Sequence, residues 1–131
     1  MRRACLVLAS IVLLGGCSFG RVPASPVAIG ANRFALPAAN WQRDGLTLLC
    51  AGGGWPGATI HGSPDDPLVV WVNQGGEKLR LAWPSGGYIA RFTPSLEVLD
   101  GDGNVIFREG DEVAGGCETA DPGIWQVSPV R

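Results

Sequence analysis

The chain has 131 residues, with ten Lys and Arg against twelve Asp and Glu and a formal net charge of −2. That length fits one domain, and an acidic balance without a Lys/Arg cluster excludes a nucleic-acid binder, which needs a basic face. Twenty glycines and ten prolines exclude a helical bundle, because Gly and Pro cost about 1 and 3 kcal/mol in a helix interior, and leave a turn-rich β domain.

The chain opens "MRR", followed by the uncharged, mostly apolar run "ACLVLASIVLL" from Ala4 to Leu14. A basic start before a short apolar segment is the layout of a secretory signal peptide. A membrane-spanning helix needs about 20 apolar residues, so this run is too short to stay in a bilayer. Arg2-Arg3 lacks the preceding polar stretch of a twin-arginine signal. The closing tetrapeptide Leu14-Gly15-Gly16-Cys17 resembles the lipobox of bacterial lipoproteins: an aliphatic residue, small residues, then a cysteine. The resemblance implies that residues 1–16 are cut away as a signal peptide and that the Cys17 thiol carries two fatty acyl chains of the palmitate kind. It also implies an extracytoplasmic, membrane-anchored protein, and Ser18 in place of an aspartate after the cysteine implies the outer membrane in a cell that has one. The plain alternative is an ordinary cleavable signal with a chance cysteine. Cleavage removes Arg2 and Arg3 and takes the net charge from −2 to −4.

On this reading Cys5 leaves with the signal and Cys17 takes the lipid, so Cys50 and Cys117 remain as one pair in an oxidising compartment, where a disulfide is expected. The loop it closes is long, and the chain-entropy model gives about 4 kcal/mol. Two cysteines with the single histidine, His61, make an incomplete structural zinc site. No metal or cofactor is expected.

Residues 17–45 read as the lipidated cysteine and a Pro/Ala/Gly-rich linker, with Pro23, Pro26 and Pro37 and no sustained period. Its second half, around Phe34, Leu36 and Trp41, carries enough apolar surface to pack on the domain that follows. From 46 to 131, short apolar runs alternate with turn signals. Strands are predicted at 46–50, 68–73, 77–83, 88–92, 96–100, 105–109, 112–116 and 124–128. Such spacing, with Gly, Pro, Asp and Asn between the runs, indicates an all-β fold, a small antiparallel barrel or sandwich. "EVLDGDGNVIF" is the clearest hairpin, because Asp-Gly supplies the positive φ that tight turns need. Asp100, Asp102 and Asn104 fall at positions one, three and five of a calcium loop. Val105 stands where that loop requires glycine, and no helix flanks it. Residues 81–116, "LAWPSGGYIARFTPSLEVLDGDGNVIFREGDEVAGG", resemble small uncharacterised secreted or lipoprotein β-barrel domains. The likeness implies an oligonucleotide/oligosaccharide-binding-like (OB-like) barrel and brings no catalytic motif.

Little catalytic chemistry is legible. "GGGWPGAT" has Ala58 where a phosphate-binding loop needs lysine, and reads as a flexible loop. His61 lies near Ser63, Asp65 and Asp66 in "IHGSPDD", which reads as a solvated Pro-Gly turn rather than a catalytic set. Asp65, Asp66, Glu97, Glu109, Asp111 and Glu112 offer carboxylate pairs of the glycosidase type, and most are expected to be solvated turn residues. Of the five tryptophans, Trp71, Trp83 and Trp125 fall in predicted strands and are expected in the core. Trp55, in a Gly-rich loop, and Trp41, before the first predicted strand, are the expected ligand-binding indoles. The expected function is a non-enzymatic, membrane-anchored lipoprotein that binds an envelope protein as an accessory subunit. A peptidoglycan or glycan binder using exposed Trp is the alternative, and a hydrolase stands third for want of a nucleophile-base set.

Overall fold

A computed structural model describes residues 25–38, 57–84, 86–113 and 123–127, together with the backbone of 116–118. The described residues form ten strands and no helix. In chain order these are β1 (Val27–Gly30), β2 (Arg33–Leu36), β3 (Thr59–Gly62), β4 (Val70–Gln74), β5 (Glu77–Ala82), β6 (Tyr88–Phe92), β7 (Leu96–Leu99), β8 (Val105–Arg108), β9 (Gly116–Glu118) and β10 (Ile124–Val127). They assemble into two five-stranded sheets, ordered β1-β2-β6-β7-β8 and β3-β4-β5-β10-β9. All pairings are antiparallel except that of β10 with β5, which sets Trp125 beside Leu81 in parallel.

Period-2 alternation explains how the sheets meet. In β4, Val70 and Val72 are buried and Trp71 and Asn73 between and after them are not; in β7, Leu96 and Val98 flank the less buried Glu97. One face of each sheet therefore supplies a common core, in which Leu36, Ala90, Phe92, Leu96, Val98 and Phe107 meet Ile60, Val72, Leu79, Leu81, Trp125 and Val127. Removing each such side chain from water stabilises the fold by about 1.5–3 kcal/mol. β10 is buried at all four positions.

Beyond β8 the chain crosses from the first sheet to the second. The Ile60 N–H donates to the Asp111 carbonyl (2.9 Å), the Gly110 N–H to the Ile60 carbonyl (2.8 Å) and the Val113 N–H to the Ala58 carbonyl (2.8 Å). The β8 and β3 edges are thus joined, while among the described residues β1 and β9 each keep a single paired neighbour. A barrel needs pairing around its whole circumference. The architecture is therefore two sheets face to face, linked along one side, and the expectation of a closed, OB-like barrel is overturned.

Three strands lie where none was predicted. β1 and β2 fall within the segment read as linker, pair with each other and then with β6, and bury Leu36. The sheet thus begins at Val27, and the indication that Phe34 and Leu36 pack on the domain is met. β3 occupies the stretch read as a solvated loop; of the predicted strand at 112–116, the described residues give a bridge between Glu112 and Thr59 and the start of β9 at Gly116, and 114–115 lie outside them. The predicted strand at 46–50 lies outside the described residues. The turns follow their sequences. Gly75 and Gly76, at φ 55° and 82°, give the two-residue hairpin between β4 and β5 the twist its strands require. Between β7 and β8 the Asp100 carboxylate accepts the N–H groups of Asp102 and Asn104, each at 2.9 Å.

Candidate functional site

Two outward sheet faces carry the polar chemistry of the described residues. The first is the outer face of β3, β4 and β5. The register sets His61 opposite Trp71 and Trp71 opposite Arg80, with Thr59, Asn73 and Lys78 in the next row. His61 Nδ1 lies 2.5 Å from Glu109 Oε1, and Nε2 lies 2.9 Å from Thr59 Oγ1. The second Glu109 oxygen accepts the Gly62 N–H at 3.0 Å. With Nδ1–H donating to the carboxylate, Nε2 is left to accept the Thr59 hydroxyl proton. The His61 ring stacks on the Trp71 indole at 6.4 Å and 28°, and Lys78 Nζ sits 3.9 Å from the indole centroid. Lys78 also pairs with Asp66, which accepts the Leu68 N–H at 2.8 Å. One strip thus runs from ammonium to indole, imidazole and carboxylate.

A hydroxyl, an imidazole and a carboxylate in that order can activate the hydroxyl as a nucleophile. Here the three sit on an open strand face. A cleft among the described residues, lined by Pro26, Pro37, Leu68, Arg80 and Trp83 among others, contains none of them. No three His, Cys, Asp or Glu side chains gather as metal ligands among the described residues. What the strip offers is an aromatic surface with charges at its ends, suited to cation–π and polar contacts with a ligand laid across it.

The second face is the exterior of the first sheet. Phe34, Ala90, Phe92, Leu96, Val98 and Phe107 point to the core, so Arg33, Arg91, Glu97 and Arg108 point out, and the register aligns them in one row across four strands. Glu97 accepts from Arg91 Nε at 2.9 Å and Nη2 at 2.5 Å, and Arg108 Nε lies 3.9 Å from its other oxygen. At the end of this sheet β1 is exposed at all four positions, with Val27 60% and Ile29 52% accessible.

Three carboxyls are held below their usual range: Glu97 by Arg91, Asp66 by Lys78 and Asp100 by the backbone N–H of Asn104, in each case against an opposing desolvation. A carboxyl more acidic in the folded than in the unfolded chain adds stability above its ordinary value, 4.5 for Glu97 and 3.8 for the two aspartates. That stability is lost as pH falls through the lowered value, because the unfolded chain then binds more protons. Thermal melts are expected to shift downward as pH is lowered from about 5 to 3, and Asp100→Asn should make the fall shallower. A melting temperature that rises over that interval would contradict the assignment.

The sequence-predicted residues divide clearly. Cys17, Trp41, Cys50 and Trp55 lie outside the described residues. Cys117 is on β9, its backbone opposite Gln126. Trp83 and Trp125 are in the core, at 3% and 0% exposure. Trp71 is not: it faces outward between the inward Val70 and Val72, and the core expectation for it is overturned. No hydrogen bond or ion pair joins Ser63, Asp65 or Asp66 to His61 among the described residues; the Ser63 Oγ accepts the Asp65 N–H and Asp66 turns to Lys78. The histidine's partners are instead Thr59, two residues back on the same strand, and Glu109, 48 residues on. The first becomes visible once 59–62 is read as a strand; the second has no local signal. No family model, curated protein or solved structure matches the chain.

Proposed function

We propose that this protein is a non-enzymatic, lipid-anchored subunit of a bacterial envelope that holds a protein partner on its β-sandwich. In this reading residues 1–16 are removed, acylated Cys17 fixes the chain to the membrane, and Cys50 and Cys117 form a disulfide in the oxidising space outside the cytoplasm. The observation that carries the binding role is the exposure of Val27 and Ile29, the two large hydrophobic side chains left in water among the described residues. They sit together on a sheet edge, and exposed apolar surface gathered at one place marks interaction sites. An unpaired strand edge is also a template for another chain.

A glycan binder is the second reading, favoured by the outward Trp71. An indole flanked by Lys78, His61 and Asn73 can stack on a sugar ring while the polar groups bond its hydroxyls. Chemical crosslinking on intact cells, followed by mass spectrometry of the purified adduct, separates the two. One protein joined in fixed stoichiometry is the expected result. Adducts with wall glycan alone, lost in Trp71→Ala, would replace the first reading by the second, and a chain that joins neither would overturn both.

A further inference from the structure

Resting on the protein-partner reading, we infer that the edge of β1, unpaired among the described residues, takes an extended, acidic segment of the partner, with apolar side chains against Val27 and Ile29 and a carboxylate on Arg33. The argument starts from the charged row. Arg33 lies directly opposite Arg91, and like charges directly opposite on neighbouring strands destabilise a sheet. Arg91 is compensated, because two of its nitrogens donate to Glu97. Arg33 has no acidic partner among the described residues, is exposed, and is the last arginine before the edge. Its neighbour in the row on β1 is Gly30.

That glycine opens a lane. A Cβ built on Gly30 would stand 3.9 Å from the Arg33 Cβ, in ordinary van der Waals contact with it. With no side chain there, the guanidinium is free to extend over β1 towards whatever lies beyond. An exposed arginine one strand from an edge can reach a carboxylate there and hold it strongly, since its planar fork donates two parallel bonds. The edge itself is apolar and carries no charge: β1 reads Val-Ala-Ile-Gly. Natural sheets protect open edges with lysine, proline or inward charges. Here Pro26 precedes the strand, and a bulge lies between Ala28 and Gly30. The bulge shortens the ladder open to an added strand and leaves Ile29 exposed, so side-chain contacts and the Arg33 charge set the choice of partner more than backbone bonds do. An acidic segment also answers the local field, which this row makes positive in a chain whose total charge is negative.

The test uses the full-length, membrane-anchored protein on intact cells. A photo-crosslinking phenylalanine analogue replaces Ile29, and in a second strain it replaces Asn73, an exposed position on the other sheet. The Ile29 probe is expected to join one protein, at a peptide that carries Asp or Glu beside the crosslinked residue. Arg33→Glu should cut that adduct about tenfold, the effect of about 1.4 kcal/mol, while Arg33→Lys keeps most of it. Exchanging the partner's acid for arginine should restore capture by Arg33→Glu. Circular dichroism of the purified variants checks that they fold. An adduct indifferent to Arg33→Glu overturns the inference, as does an Ile29 probe that joins only lipid or a second copy of this chain. Capture by the Asn73 probe alone overturns the edge while leaving a protein partner in place. Capture of no protein by either probe overturns both.

Discussion

Trp125→Ala is expected to lower stability by about 3–5 kcal/mol, the cost of emptying a large aromatic site in a core. Trp125 is fully buried in β10, which is held by β5 on one side and β9 on the other, so the strands around it resist collapse into the space. Domains of this size have about 5–15 kcal/mol in total, and the melting temperature should fall by about 10 °C or more. The indole Nε1 has no hydrogen-bond partner among the described residues, and an unsatisfied buried donor costs about 1–3 kcal/mol. Trp125→Phe discards that donor along with part of the ring, so it should cost clearly less than alanine. Urea unfolding of the two variants measures the difference. Equal losses would mean that the N–H is satisfied, and a small loss for alanine would mean that the ring is not where the core closes.

Where local pattern and partner agreed, the strands were readable. "YIARF" is β6 to the residue, and "EVLDGDGNVIF" holds the Asp100 turn with all of β7 but Leu96 and all of β8 but Arg108. The failures share one cause, dependence on distant partners. β3 is four residues among glycines and prolines; it pairs with β4 on one side, and on the other Ile60 bonds the backbone of Gly110 and Asp111, about 50 residues on. β1 and β2 are equally short, and prolines precede and follow them. Their sheet exists because Phe34 and Leu36 fall on the face that β6 completes. Strand count and spacing suit a barrel and a sandwich alike. The choice lies in the end strands β1 and β9, which among the described residues pair on one side alone, and no local pattern reveals that. The site was legible by residue type more than by position. The sequence marks His61 but points to acids among its neighbours, whereas its carboxylate stands across the sandwich edge at Glu109. Trp71 reads as core because a run of apolar residues hides which of them alternate outward.

Cys17→Ala is expected to abolish stable membrane attachment. A buried methylene contributes about 0.8 kcal/mol, and a single acyl chain binds a bilayer only marginally, so a lasting anchor needs the two chains proposed for Cys17. Without the thiol there is nowhere to attach them. The run from Ala4 to Leu14 is no substitute, since it is about half the length that spans hydrocarbon. The variant should therefore keep residues 1–16 in its N-terminal peptide, and alkaline washing should strip it from membranes that retain the parent protein. Mass spectrometry of the parent's N-terminal peptide completes the argument, because it should begin at an acylated Cys17. A parent peptide that begins at Met1 would overturn the anchor. It would also remove the reason for expecting the Cys50–Cys117 disulfide, which rests on the same oxidising compartment. A variant that stays attached after washing would place the attachment on the domain itself, with the arginine row of the first sheet as the surface to examine against anionic lipid.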